Sequence, residues 1–286
     1  MYLVVGADAE IGRAVTESLR ADGTPVCGTT RRAGAVGPDR LLLDLADLPK
    51  HWSPPPGIRA ACIAAAVARL AECAADPAAA ARINVAGTIA LTRHLAERGI
   101  YTLFLSTNQV FDGRTPHVAA DAPTCPVSVY GGQKAETEVA LRRLMREGAP
   151  VGILRLSKVV SPGIALLRDW RERLVAGQPI RAFADMTLSP VPVASVVRAI
   201  MAMLQSRASR VAQLSGPRDV TYVDAARHVA MLCGADPELV TAGRAADIGL
   251  PPGATPAHTT LDSSFLRDAH GIVVPDAIAV VGDACA

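Results

Sequence analysis

The sequence predicts an α/β protein built on a doubly wound parallel sheet, followed by a smaller C-terminal lobe. Short aliphatic runs alternate with longer helical patterns through the first half, as in parallel strands joined by crossover helices. The opening run leads through a turn bounded by glycines into a helix. After about Ser161 the alternation breaks down, and Pro162, Pro179, Pro190, Pro192, Pro217, Pro237, Pro251, Pro252 and Pro256 punctuate shorter elements.

Six strands are expected, at Tyr2 to Val5, Pro25 to Gly28, Leu41 to Leu43, Ala60 to Ile63, Thr102 to Leu105 and Gly152 to Leu156. Helical periodicity runs over Ile11 to Ala21, Pro77 to Arg98 and Tyr130 to Glu147. The first two helices close near Gly23 and Gly99, where glycine accepts the left-handed stop. The chain of 286 residues exceeds a typical domain of about 100–150 residues. Residues 1–160 are therefore expected to form the sheet domain and 161–286 the smaller lobe, with parts of the chain free to cross back.

Twenty-nine Lys and Arg against 27 Asp and Glu leave a net charge of +2, too little to attract nucleic acid or an anionic membrane. The longest apolar run near the middle, Ala60 to Ala68, ends at Arg69 and is shorter than the roughly 20 residues a membrane helix needs. The N-terminus lacks a basic segment and carries Asp8 where a signal peptide stays apolar. A cytoplasmic protein is expected, with six scattered cysteines as free, mostly buried thiols.

The first turn reads Gly6-Ala7-Asp8-Ala9-Glu10-Ile11-Gly12. Glycines there let backbone amides approach a pyrophosphate at the helix N-terminus, as in Rossmann dinucleotide folds. Ala9 stands where a middle glycine is usual, and Asp8 and Glu10 put negative charge near an anion site. A tight turn with an acidic helix start is the bland alternative. The second strand leads into Thr29-Thr30-Arg31-Arg32, where an NAD-preferring fold carries an acid for the adenosine ribose. Hydroxyls and guanidinium groups suit a 2′-phosphate instead. NADPH is the expected cofactor, NADH the alternative, and a solvated basic turn the bland reading.

Tyr130-Gly131-Gly132-Gln133-Lys134 puts a phenol and an ammonium one helical turn apart on one face. With only three lysines and four tyrosines, this spacing arises by chance about 0.04 times, well below ordinary motif noise. A phenol of pKa about 10 is a poor acid–base group unless a cation lowers it, and Lys134 is expected to do so. Upstream, Ser106-Thr107 end the fifth strand, where both hydroxyls are expected at the ligand-binding edge; a plain turn is the rival reading.

These residues, together with Ala64-Ala65-Ala66, Asn84-Val85-Ala86-Gly87 and Val110-Phe111-Asp112-Gly113, occur in the order seen in a known group. The chain resembles the extended short-chain dehydrogenase/reductase superfamily, most closely the dTDP-4-dehydrorhamnose reductase family. Ser189-Pro190 and Leu261-Asp262 look like its less specific landmarks. The resemblance implies reduction of a keto sugar linked to a nucleotide, with hydride from the cofactor. Tyr130 would donate the proton, Thr107 would hold the carbonyl oxygen, and Lys134 would bind the nicotinamide ribose and tune Tyr130. The cofactor would also meet Gly6, Ala9, Glu10, Ile11, Gly12, Thr30, Arg31, Arg32, Asp44, Leu45, Ala64, Ala65, Ala66, Ser106 and Tyr130. Asp44 reads equally as a helix cap, and Asn84 as a residue that steadies the helix behind the site.

Asn108, Gln109, Val110 and Phe111 would face the substrate. Rhamnose-type reductases usually carry Asp-Tyr at the first two positions, and dehydratases Asp-Glu. Asn and Gln cannot trade protons, which disfavours dehydration; Arg31 and Arg32 disfavour an NAD-retaining epimerase. The rival to an enzyme is a non-catalytic NADP-binding or regulatory member of the same superfamily. The partner expected is a small sugar nucleotide, and a homodimer is compatible with the reading. His51, His94, His117, His228, His258 and His270 lack metal-ligand spacing, so no metal is expected. Trp170 and Phe183 read as apolar anchors of the second lobe, and Arg168, Arg171 and Arg173 as a solvated face.

Overall fold

A computed structural model describes residues 1–48, 52–248 and 255–285. His51, Pro251 and Pro252 lie outside them. The chain forms two compact units. The first comprises Met1–Val110, Ser128–Arg155 and Val196–Ala212, and the second Phe111–Val127, Leu156–Ser195 and Gln213–Ala286. The units therefore interleave in sequence. Residues 111–127 and 156–160, before the expected boundary, pack in the second unit, and 196–212, beyond it, returns to the first.

The first unit is built on β1 (Tyr2–Val5), β2 (Val26–Thr30), β3 (Arg40–Leu42), β4 (Ala60–Ile63), β5 (Tyr101–Thr107) and β6 (Val151–Leu156). The sheet has seven strands where the sequence predicted six, because Val211–Leu214 adds an edge beside β6. That strand was hidden by its place among the prolines, after the alternation had ended. The order is Val211–Leu214, β6, β5, β4, β1, β2, β3, a parallel sheet whose connectivity reverses between β1 and β4. Open sheets of this kind bind ligands at the carboxyl edge of that reversal.

Helix α1 (Glu10–Ala21) buries Gly12, Val15, Thr16 and Leu19, the three- and four-residue spacing of one face. It is followed by Gly23 at φ +66°. A short helix, α2 (Leu70–Ala75), was not foreseen. The expected long helix at Pro77 begins as α3 (Pro77–Ala81), with Asp76 accepting from the Ala79 amide at 2.8 Å. It loosens into a π-helical stretch at Arg82–Gly87 and continues as α4 (Thr88–Ala96). Helix α5 (Val129–Arg146) is capped by Ser128, whose Oγ accepts from the Gly131 amide at 3.0 Å.

In the second unit, Trp170 and Phe183 each meet Tyr222 edge to face, with ring centroids 6.4 Å apart. Trp170 sits in an apolar cluster with Leu167, Leu174, Val223 and Val280, as the anchor reading expects. Arg168, Arg171 and Arg173 are exposed. Among the described residues no helix is long and apolar enough to cross a membrane.

Candidate active site and cofactor cradle

The turn after β1 lies against the loop after β4. Gly6 adopts φ +85°, and a Cβ there would stand 2.7 Å from the Ala65 backbone nitrogen. A Cβ on Gly12 would stand 2.2 Å from the Gly6 carbonyl oxygen, so both glycines are demanded by close approach. Ala9 stands just before α1 with its amide bonded to the Gly6 carbonyl at 3.0 Å, and no side chain caps the helix. The Ala9 methyl is exposed rather than wedged into the turn.

A cavity of about 640 Å³ opens along this edge, within the roughly 300–1,000 Å³ of small-molecule sites. Of the residues expected at a dinucleotide, Gly6, Ala9, Glu10, Thr30, Arg31, Arg32, Asp44, Leu45, Ala65 and Ala66 line it. Ile11, Gly12, Ala64, Ser106, Tyr130 and Lys134 stand outside the lining, as does Thr107. Arg69 and Glu72, from the unforeseen α2 and the residue before it, line it as well. Asp44 accepts from the Ala46 amide at 2.9 Å and caps a short turn, the alternative role foreseen for it. Uncapped amides, a glycine cradle and a flanking arginine pair fit the diphosphate and adenosine half of a nicotinamide dinucleotide.

At the end of β2 the structure revises the sequence reading. Asp8 does not leave its charge in the anion turn. Its Oδ2 accepts from Thr30 Oγ1 at 2.6 Å, and its Oδ1 pairs with Arg32 at 3.1 Å and Arg40 at 3.2 Å. The Thr30 hydroxyl, with the Arg32 guanidinium, holds the Asp8 carboxyl below its ordinary range against the opposing effect of burial. Thr30 is buried, and its hydroxyl also accepts from the Arg32 amide at 3.1 Å. That hydroxyl is thus already committed within the protein.

Tyr130 and Lys134 share one face of α5. Lys134 is buried; its Nζ donates to the Leu105 carbonyl at 2.8 Å and lies 4.4 Å from the Phe104 ring centroid and 5.8 Å from that of Tyr130. Burial pulls its pKa down to about 8, against the Glu138 carboxylate, which favours the charge. The expectation that Lys134 acidifies Tyr130 is not met. Burial pushes the phenol well above its ordinary value, with Cys73 adding in the same direction. The group is therefore a firmly protonated donor.

Ser106 and Thr107, expected together at the edge, part company because successive residues of a strand face opposite ways. Ser106 Oγ donates to Glu138 Oε1 at 2.6 Å. Glu138 is held from the other side by Arg155 of β6, at 2.9 Å from Nε and 2.7 Å from Nη2, with both side chains fully buried. The sequence reading missed this pair, although Glu138 is four residues beyond Lys134 and Arg155 is the one charge in the run Val151–Leu156. Thr107 is held locally, its Oγ1 accepting from the Gln109 amide at 3.2 Å.

Ser128 Oγ donates to Gln109 Oε1 at 3.2 Å, and a Cβ on Gly131 would stand 2.1 Å from the Gln109 carbonyl oxygen. The glycine after Tyr130 thus lets the 108–110 turn press on α5. Asn108 and Gln109 keep partial exposure. Val110 has none, and Phe111 very little, so their expected place at a substrate is corrected to one in the core. Asn84, turned inward by the π-helical stretch, clamps Val67: Oδ1 accepts from its amide and Nδ2 donates to its carbonyl, each at 2.9 Å. Nδ2 also donates to Gln133 Oε1 at 2.8 Å. Asn84 therefore fixes the loop after β4 that lines the cavity.

This architecture is shared with known proteins. A dTDP-4-keto-6-deoxy-D-glucose reductase of Streptomyces niveus is 29% identical over 239 residues, covering 82% of this chain and 80% of the relative. A solved dTDP-4-dehydrorhamnose reductase from Clostridium acetobutylicum ATCC 824 superposes with a TM-score of 0.82 at 18% identity, covering 99% of this chain and 97% of that one. Another, from Bacillus anthracis str. Ames in complex with NADP, gives 0.81 at 17% identity, with 99% and 97% covered. At those identities the structures establish a common fold. The family described as RmlD substrate binding domain matches residues 1–283, and the chain belongs to that family.

Proposed function

We propose that the protein is a reductase that uses NADPH, or alternatively NADH, to reduce the keto group of a nucleotide-linked sugar, as the names of its relatives indicate for them. The observation that carries this reading is the placement of Tyr130 and Lys134 on one face of α5, in the unit that also holds the cavity at the sheet reversal. A bound reduced nicotinamide supplies the hydride. Tyr130, kept protonated by burial, gives its proton to the oxygen of the reduced carbonyl. Thr107 donates a hydrogen bond to that oxygen and fixes its position. Lys134, held by the Leu105 carbonyl, keeps positive charge beside the phenolate left behind. Asn108 and Gln109 flank the sugar without exchanging protons.

The test mixes purified protein and NADPH with a panel of 4-keto sugar nucleotides, including dTDP-4-dehydrorhamnose, and follows absorbance at 340 nm. Oxidation of NADPH with one panel member, abolished in Tyr130→Phe, is the expected result. Silence across the panel, with dinucleotide binding shown by fluorescence, overturns catalysis in favour of the binding member.

A further inference from the structure

The acid that an NAD-preferring fold carries at the end of β2 is missing from residues 29–32, yet a carboxylate occupies that place. Asp8 reaches it from the first turn and gathers Thr30, Arg32 and Arg40 around one carboxyl group. Asp8, Thr30, Arg31 and Arg32 all line the cavity. Arg40 comes from β3, which pairs with β2 in the register Thr30 opposite Leu42; no sequence motif ties it to the site. Two chemistries therefore meet at one point. A ribose 2′-hydroxyl can donate to a carboxylate, whereas a 2′-phosphate is repelled by it and needs the same guanidinium donors that the carboxylate already holds.

Resting on the dinucleotide reading above, we propose that Asp8 sets the cofactor choice by competing with a 2′-phosphate for Arg32 and Arg40. The native protein then accepts NADH and NADPH with affinities within about tenfold of each other. The arginines alone would favour NADPH strongly, and Asp8 offsets them. The substitution Asp8→Asn keeps an acceptor for Thr30, removes the competing charge and frees both guanidinium groups for phosphate. Arg40→Gln works in the opposite direction.

Dissociation constants for NADPH, NADP+, NADH and NAD+ are measured by fluorescence and calorimetry on the native protein, Asp8→Asn and Arg40→Gln, with circular dichroism and thermal melting to establish folding. Asp8→Asn is expected to tighten the 2′-phosphorylated forms about tenfold relative to the others, and Arg40→Gln to weaken them selectively. Steeper salt dependence for NADPH in Asp8→Asn is the second readout. Dinucleotide binding with a ratio unmoved by Asp8→Asn overturns this proposal and leaves the reductase reading intact. Binding of no dinucleotide by the folded native protein overturns both.

Discussion

The Lys134 ammonium lies 5.8 Å from the centroid of the Tyr130 ring, while its hydrogen bond goes to the Leu105 carbonyl at 2.8 Å. The cation is thus fixed by the backbone of β5, and the phenol is left as a half-buried acid whose desolvation keeps it protonated. Reduction needs a proton donor at the start of the cycle, which suits that state. Replacing Tyr130 by Phe removes the proton and little else. Turnover is expected to fall by roughly 10²–10⁴-fold, with a far smaller change in dinucleotide affinity. Steady-state kinetics beside fluorescence titration checks both; an equal loss in the two would assign Tyr130 to binding alone.

The pKa of Lys134, lowered from 10.5 to about 8, predicts an activity that declines as pH rises through about 8. It also predicts a stability signature. Below pH 8 the lysine is charged in both folded and unfolded chains. Between about 8 and 10.5 the unfolded chain holds more protons, so this group makes stability rise with pH across that window. The span corresponds to about 3 kcal/mol. Lys134→Met lacks the rise, so its stability relative to the native protein should worsen by up to that amount between pH 7 and pH 10. Urea unfolding at matched pH values measures the difference.

Much of this machinery was legible because it depends on local order in the chain. The four-residue step from Tyr130 to Lys134 makes about one helical turn whatever surrounds it, and Gly6 and Gly12 mark a turn that only glycine can fill. What escaped was set by tertiary neighbours. Nothing in the sequence shows that Asp8 pairs with Arg40, that Ser106 faces Glu138 while Thr107 does not, or that Val110 is sealed in the core. The shift of Tyr130 was misjudged for the same reason, since burial outweighs a cation whose hydrogen bond goes elsewhere. The edge strand Val211–Leu214 was missed because its partner β6 lies more than fifty residues earlier in the chain.

Glu138 supports Lys134 from one turn further along α5, and is itself held by Arg155 and Ser106. Glu138→Gln leaves the Arg155 guanidinium buried without its countercharge, at a cost of about 3–5 kcal/mol. It also removes the negative charge that favours protonated Lys134. The limb of the activity profile that Lys134 governs should therefore move below pH 8. The double variant Glu138→Leu/Arg155→Leu, which removes both charges, should recover much of the stability while keeping the shifted profile. A double variant with the native profile would show that the pair acts on folding alone.

Gly6 and Gly23 separate backbone strain from crowding. Both adopt left-handed conformations, at φ +85° and +66°, where a Cβ costs roughly 1–2 kcal/mol. Around Gly23 nothing lies within 4 Å of that Cβ, whereas at Gly6 it would meet the Ala65 backbone nitrogen at 2.7 Å. Gly23→Ala should lower stability by that conformational cost and leave dinucleotide affinity unchanged. Gly6→Ala should cost more, because the loop after β4 has to move, and that loop lines the cavity and is clamped at Val67 by Asn84. Its dinucleotide affinity should fall at least tenfold. Denaturant melts and fluorescence titration on the pair read the two effects separately, and equal losses at the two positions would mean that crowding against Ala65 plays no part in holding the cofactor.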